Sequence, residues 1–266
     1  MVRNRLPRLA TSVLAIFFGL GLFAPLPYVV LTPGKAQDVL QEVITPKDKS
    51  ESSPIFYPVD GKIFLLTILI TNPSAYVTGV ELIYSWLRSD YAVMPRALFY
   101  KPGRSAQAEV KIAKAEMVDS QLSSKVAALN YLRANSPATD FSSVKPENIK
   151  IALSKTGGPS AGLAFALGIV ELLTPTNILA GRSVAVTGTI DEEGNVGGIG
   201  GIAEKILAAD KAGATFFIVP IENCSDLAPA IARIPSGIKI AAVATLKEAI
   251  GALNSNHPRG CANLGA

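Results

Sequence analysis

Gly158-Pro159-Ser160-Ala161-Gly162 is the most chemically pointed stretch of this 266-residue chain. A serine stands between small residues, after a short β-prone run and before a strongly apolar one. Small neighbours let a substrate backbone approach. The start of a helix offers free N–H groups that can hold a developing oxyanion. Those are the needs of an acyl-transfer nucleophile. A serine that simply caps a buried helix would show the same local pattern. A second stretch, Gly197-Gly198-Ile199-Gly200-Gly201, leads into Ile202-Ala203-Glu204-Lys205. Glycine-rich loops before helices also bind phosphate. Neither G-x-x-x-x-G-K-[ST] nor a strict G-x-G-x-x-G occurs here, so the pattern for a nucleotide site is weak.

A serine nucleophile needs a base. His257 is the single histidine. Lys205, one turn into the glycine-led helix, can serve if burial lowers its pKa, because desolvation disfavours the charged form. Left in water it is an ordinary solvated lysine. Chain order also permits a G-x-S-x-G nucleophile elbow, with Asp226 or Glu248 and then His257 completing a triad. Two features oppose that reading. The fixed φ of Pro159 is a burden inside a strained turn. His257 lies among Asn, Ser, Pro and Gly, a poor platform for a positioned base.

Composition narrows the field further. One histidine excludes a multi-histidine metal site, and two cysteines, Cys224 and Cys261, cannot build a zinc site or a disulfide framework. A single disulfide between them and two free thiols both remain open. No metal and no cofactor is expected. The net charge of +4 owes most of its excess to Arg3, Arg5 and Arg8. The body is close to neutral and gives no reason to expect nucleic acid as a partner.

The elements that must position Ser160 and Lys205 are partly visible. Gly61–Ile70 reads as a buried strand. Thr78 and Glu81 form a capping box, after which Val80, Ile83, Tyr84 and Leu87 fall at helical spacing. Asp119 is placed to cap a second helix, with Leu122, Val126 and Leu129 on one face and Asn135 and Pro137 at its end. A short strand over Ile149–Leu153 leads into the serine motif. Ala161–Leu173 is apolar nearly all round and predicts a buried helix. Val184–Ile190 predicts a strand, Asp191–Asn195 a hairpin turn, and Ile202–Ala212 a helix closed by Gly213. Thr215–Pro220 and Lys239–Ala242 predict strands, and Thr245 with Glu248 caps a last helix through Leu253. Strands and helices alternate in a mixed pattern that predicts an α+β or α/β domain.

The N-terminus has a different character. Leu9–Thr32 carries no charge, and about 20 apolar residues span a bilayer core as helix. Pro25 and Pro27 end regular helix near Ala24. The preceding arginines put the N-terminus in the cytoplasm and everything from about Lys35 outside it. A cleaved signal peptide is the rival. Leu22 stands where a small residue is wanted, however, and Pro25 follows Ala24, so cleavage there is disfavoured. The polar, proline-bounded stretch Pro46–Pro54 reads as a loop or linker.

The serine and lysine segments together resemble the proteolytic domain of the Lon peptidase family. The family motif Asp-Gly-Pro-Ser-Ala-Gly matches Gly157–Gly162 except at its first position. Thr-Gly-Glu resembles Thr187-Gly188-Thr189, and Gly-Gly-x-x-Glu-Lys matches Gly200–Lys205 in full. Ala208–Gly213, Phe217–Pro220 and Glu222-Asn223 also look like the family. The N-terminal anchor with Thr32-Pro33-Gly34 behind it resembles the membrane-anchored bacterial Lon-like branch. That branch typically carries a PDZ domain before the nucleophile motif. About 25 residues between Leu132 and Gly157 leave no room for one.

The resemblance implies an α+β Lon-type proteolytic fold preceded by one transmembrane helix. It implies a serine endopeptidase in which Ser160 is the nucleophile and Lys205 the base. Thr187 would orient Lys205, and the Gly158, Pro159 and Ala161 backbone would shape the oxyanion site. Gly157 and Thr189 replace the family's two motif acids. It further implies a protein or peptide substrate, no ATP requirement, and a homo-oligomer such as a hexamer. The expected organisation is a cytoplasmic tail over 1–8, an anchor over 9–31, and a juxtamembrane segment and linker over 32–58. The proteolytic domain would cover 59–253 and a flexible tail 254–266. The expected location is the cell membrane, crossed once, with the proteolytic domain extracytoplasmic. The readings outside this one are a catalytically silent assembly or peptide-binding domain of the same fold, and an esterase using Ser160 and His257.

Overall fold

The computed structural model describes residues 7–47, 54–136, 139–153, 156–231 and 237–261. The chain opens with α1 (Arg8–Phe23), β1 (Pro25–Leu26), β2 (Tyr28–Asp38), α2 (Val39–Glu42) and β3 (Ile44–Pro46). It continues with β4 (Lys62–Ile70), β5 (Val77–Thr78), α3 (Gly79–Trp86), β6 (Ala92–Pro95) and α4 (Ala106–Asn135). Then come β7 (Ile149–Ile151), α5 (Gly162–Leu173), β8 (Ser183–Val186), β9 (Thr189–Ile190) and β10 (Val196–Gly197). The last elements are α6 (Ile202–Lys211), β11 (Phe216–Pro220), α7 (Cys224–Ile231), β12 (Lys239–Val243) and α8 (Leu246–Leu253). Two compact units emerge, residues 1–32 with 69–109, and residues 33–68 with 110–266.

The first unit is built around α1. The helix stops at Phe23, and Ala24 is extended ahead of Pro25, as the prolines predict. No residue of α1 is buried. Among the described residues no helix is long and apolar enough to cross a membrane. Directly after α1, β1 pairs antiparallel with β5 through Pro25–Thr78 and Leu26–Val77. The first half of β2 pairs antiparallel with β6 from Tyr28–Pro95 to Leu31–Ala92. The capping box forms at the start of α3, where Thr78 N–H donates to Glu81 Oε2 at 2.7 Å and Thr78 Oγ1 accepts from Glu81 N–H.

The second unit is mixed α/β. Its central strands run parallel in the order β12-β11-β8-β4, in register from Phe216–Lys239, Phe216–Val184 and Ile63–Val184. Alternation assigns the strand residues to two faces. Ile63, Leu65, Val184, Val186, Phe216, Ile218, Ala241 and Val243 pack into a core with α2, α4, α5 and α8. Leu66, Ala185, Phe217, Val219 and Ala242 pack with α6 and α7 on the other side. Helices on both faces explain why these strands read as continuous apolar runs. All twelve residues of α5 are buried, as its all-round hydrophobicity predicts.

Several expectations need correction. Asp119 caps nothing. It sits exposed in the middle of α4, a single helix of 30 residues whose start is capped by Ser105 Oγ accepting from Ala108 N–H at 3.2 Å. The polar stretch Lys111–Glu116 hides the first half of this helix from a reading based on apolar spacing. Pro137 lies outside the described residues. The strand expected over Val184–Ile190 breaks at Thr187-Gly188, where Gly188 takes φ +152°. Its second part, β9, pairs instead with β10 across the expected hairpin.

Residues 32–58 hold the rest of β2, α2 and β3, and Val39, Leu40, Val43 and Ile44 enter the core. Elements of three or four residues show no period to detect. Most of the loop Pro46–Pro54 lies outside the described residues. The segment after Asn254 is not free either: Arg259 carbonyl accepts from Ala242 N–H at 2.8 Å, and Cys261 is disulfide-bonded to Cys224.

Candidate active site

Ser160 sits in the turn before α5, and Ala161, not Ser160, occupies the helix N-cap without a side-chain bond. The cap alternative for this serine is therefore not what the fold uses. Gly158 takes φ +86° with nothing near its α-carbon on the side a Cβ would fill, so the approach to the serine stays open. Two contacts from α4 hold the turn. Gly158 N–H donates to Ala113 carbonyl at 2.8 Å, and Ser120 Oγ donates to Pro159 carbonyl at 2.9 Å. The Ser160 and Ala161 N–H groups donate to no acceptor among the described residues. They are the pair available to an oxyanion.

Lys205 is the fourth residue of α6 and only 2% exposed. Its Nζ lies 2.8 Å from Ser160 Oγ and 3.0 Å from Thr187 Oγ1. Thr187 is fully buried and donates its hydroxyl proton to Ser160 carbonyl at 3.2 Å. Gly188 N–H donates to the same carbonyl at 3.0 Å. The break in the strand thus turns Thr187 toward both Ser160 and Lys205. Burial lowers the Lys205 pKa from 10.5 to about 7. A neutral amine there can donate to Thr187 and still turn its lone pair to the Ser160 hydroxyl.

The glycine loop ahead of α6 is tied down by the residues that follow β11. Gly198 N–H donates to Glu222 Oε2 at 2.7 Å, and Ile199 N–H donates to Asn223 Oδ1 at 2.8 Å. Asn223 Nδ2 returns a bond to Ile199 carbonyl at 2.8 Å. The Gly198 and Ile199 donors are thereby spent within the protein. Gly201 supplies a left-handed conformation (φ +69°) at the helix N-cap, against Ile68. Glu222, Asn223 and Ser120 were not assigned these positions from sequence. Ser120 could have been found as a small polar residue spaced between Met117 and Ser124 on the buried stripe of α4.

The other sequence candidates fall elsewhere. His257 is exposed after α8 and has no bond to Ser160. Asp226 is exposed, and Glu248 is exposed and accepts from Ala244 N–H at 2.8 Å beside the α8 cap. The triad residues are not gathered. Gly157, where the related motif has an acid, leaves no space for a side chain, because an added Cβ would stand 2.8 Å from Ala113 Cβ. Thr189 lies on β9 with its Oγ1 against Gly197.

This arrangement, a serine on a helix-entry turn facing a buried lysine, coincides with the match to known proteins. Residues 106–254 match the model of the Lon protease (S16) C-terminal proteolytic domain. The chain belongs to that family. The site residues Ser160, Thr187 and Lys205 all lie inside the matched region, and membership places the domain among serine-type peptidases.

Curated relatives agree. The chain is 38% identical over 103 residues to the Lon protease of Haemophilus influenzae, covering 39% of this chain and 13% of that protein. It is 41% identical over 93 residues to the Lon protease of Xanthomonas oryzae pv. oryzae, 35% of this chain and 11% of that protein. It is 33% identical over 153 residues to the Lon protease of Rickettsia typhi, 55% of this chain and 19% of that protein. The matched stretches thus span less than a fifth of each of these Lon proteases.

Proposed function

We propose that this chain is a membrane-anchored, ATP-independent serine endopeptidase that works through a Ser160–Lys205 dyad. The observation that carries the reading is the 2.8 Å approach of the buried Lys205 Nζ to Ser160 Oγ. Neutral Lys205 takes the Ser160 hydroxyl proton as Oγ attacks the scissile carbonyl. The tetrahedral oxyanion is held by the Ser160 and Ala161 N–H groups. The Lys205 ammonium passes its proton to the leaving amine, the C–N bond breaks, and an ester on Ser160 remains. Water then attacks the ester, giving its proton to Lys205, and the proton returns to Oγ as the acid product leaves. No carboxylate has a part in this sequence.

The anchor reading rests on the uncharged Leu9–Thr32 run behind Arg3, Arg5 and Arg8, and on an apolar α1 that buries none of its residues. The Cys224–Cys261 disulfide favours an oxidising compartment for the second unit, so the peptidase would face away from the cytoplasm. ATP independence is carried over from the resemblance to the membrane-anchored Lon-like branch. Substrate choice would proceed without a PDZ insert between Leu132 and Gly157. Self-association into a ring would follow the family pattern.

The test uses the full chain in detergent as wild type, Ser160→Ala, Lys205→Ala and His257→Ala, with an unfolded protein as substrate and no ATP. Loss in the first two variants and full activity in the third is the expected result. Inert wild type in both detergent and membrane, with all variants folded, would move the assignment to a silent binding domain.

A further inference from the structure

We infer that α3 is a membrane-surface helix that lies at the headgroup–acyl boundary of the bilayer entered by α1. The inference rests on the anchor reading of α1 and adds a second contact with the same membrane. Helix α3 is inside out for a water-soluble protein. Its buried residues are Gly79 and Ser85. Val80, Ile83, Tyr84 and Leu87, spaced as one apolar stripe, are 43–80% exposed, and Trp86 is 77% exposed. Tyr76, just before the helix, is 61% exposed. A continuous apolar and aromatic face of this kind marks an interaction site rather than scattered surface residues.

The level at which this face begins is set by its neighbours within the first unit. The backbone of Gly79 presses on the carbonyl of Gly21 so closely that a Cβ at Gly79 would not fit. Gly21 lies three residues before the cap Ala24, which places the start of α3 roughly 4–5 Å short of the end of α1. The β1–β5 pairing locks the same level, because β1 follows α1 directly and β5 precedes α3 directly. If α1 enters a bilayer from the Arg8 side, its 16 residues extend about 24 Å. Its far end then stands about 6 Å inside the opposite boundary of a hydrocarbon core of about 30 Å, and the start of α3 about 10 Å inside it, the deep end of the roughly 5–10 Å to which an interfacial helix buries its apolar face. At that level Trp and Tyr rings are at their most favourable, apolar body in the acyl region and polar tip in water. A short helix with its apolar face turned to lipid is what this depth calls for. The occupant is the lipid itself.

Trp86 is the only tryptophan of the chain, so indole fluorescence reports on α3 alone. The full chain is reconstituted into phosphatidylcholine vesicles, and retention after carbonate extraction is measured first. Emission is then compared with and without lipids brominated near the headgroup or near the chain ends, and with aqueous iodide. The expected result is retention, blue-shifted emission, quenching mainly by the lipid brominated near the headgroup, and protection from iodide. The paired change Ile83→Glu and Leu87→Glu should keep retention yet red-shift Trp86 and weaken its lipid quenching. Release by carbonate removes the anchor reading, and the α3 docking falls with it. Retention with iodide quenching and no lipid quenching overturns the docking alone. Protection from iodide without lipid quenching also overturns it, since a protein surface would then cover Trp86.

Discussion

Thr187 Oγ1 accepts a hydrogen bond from Lys205 Nζ at 3.0 Å while its own proton goes to Ser160 carbonyl at 3.2 Å. The threonine is therefore polarised in one direction, and it fixes which of its bonds the lysine can use. Thr187→Val keeps the shape and removes both bonds. We expect kcat to fall about ten- to a hundredfold with KM little changed, because the amine loses its aim rather than the substrate its site. Thr187→Ser should restore most of the rate. Equal losses in the valine and serine variants would assign Thr187 to packing alone.

Under the proposed dyad, Lys205 sets the pH dependence. With its pKa near 7 in the folded protein, the base is charged and inactive in acid. The rate should rise as pH passes through about 7 and level off above it, measured as kcat over about pH 5–9. A rise centred near the ordinary lysine value would contradict the burial effect.

The same shift has a consequence for stability. Unfolding returns Lys205 to about 10.5, so between about 7 and 10.5 the unfolded chain binds the extra proton. Stability tied to this residue therefore rises with pH through that window and is lowest below it, by up to roughly 5 kcal/mol. Denaturant midpoints of wild type against Lys205→Met should show the slope in the first and its loss in the second.

Gly157→Asp would restore the residue type of the related motif, yet it should not help. Its Cβ would press on Ala113 at 2.8 Å, with the α4 backbone at 3.3 Å, and α4 also holds Pro159 through Ser120. A loss of about 1–3 kcal/mol in stability is expected from the overpacking, with activity reduced as the serine turn shifts. Higher activity at unchanged melting temperature would show that the turn has room to adapt.

Reduction of Cys224–Cys261 should lower stability by about 4 kcal/mol, the chain-entropy value for its 37-residue separation. Cys224 directly follows Asn223, which bonds both the N–H and the carbonyl of Ile199 in the loop that opens α6. Activity should therefore fall under reductant more than in a Cys261→Ser variant assayed well below its melting temperature only if reductant also disturbs another site. Matching rates in the two would tie the effect to this disulfide.

The sequence by itself determined which residues are candidates for the site and most of the local structure. Ser160 and Lys205 stand out because a single histidine leaves few bases, and because small residues flank each segment. The end of α1, the cap of α3, the buried α5 and the start and stop of α6 follow from proline, Thr/Glu, all-apolar and glycine signals that act within a few residues of chain. Only the tertiary structure decided what depends on distant partners. The 45-residue gap between Ser160 and Lys205 closes because β8 stops at Val186, ahead of Thr187-Gly188, and because Glu222 and Asn223 pin the glycine loop. The full length of α4 hid behind charged residues, since its buried stripe mixes Ser120, Ser124, Ala127 and Ala128 with Met117, Leu129 and Leu132, and the leucines come only in its last turns. The outward face of α3 was also hidden. Apolar spacing reports which residues share a side of a helix but not what medium that side meets, and the medium depends on how the rest of the chain is placed around it.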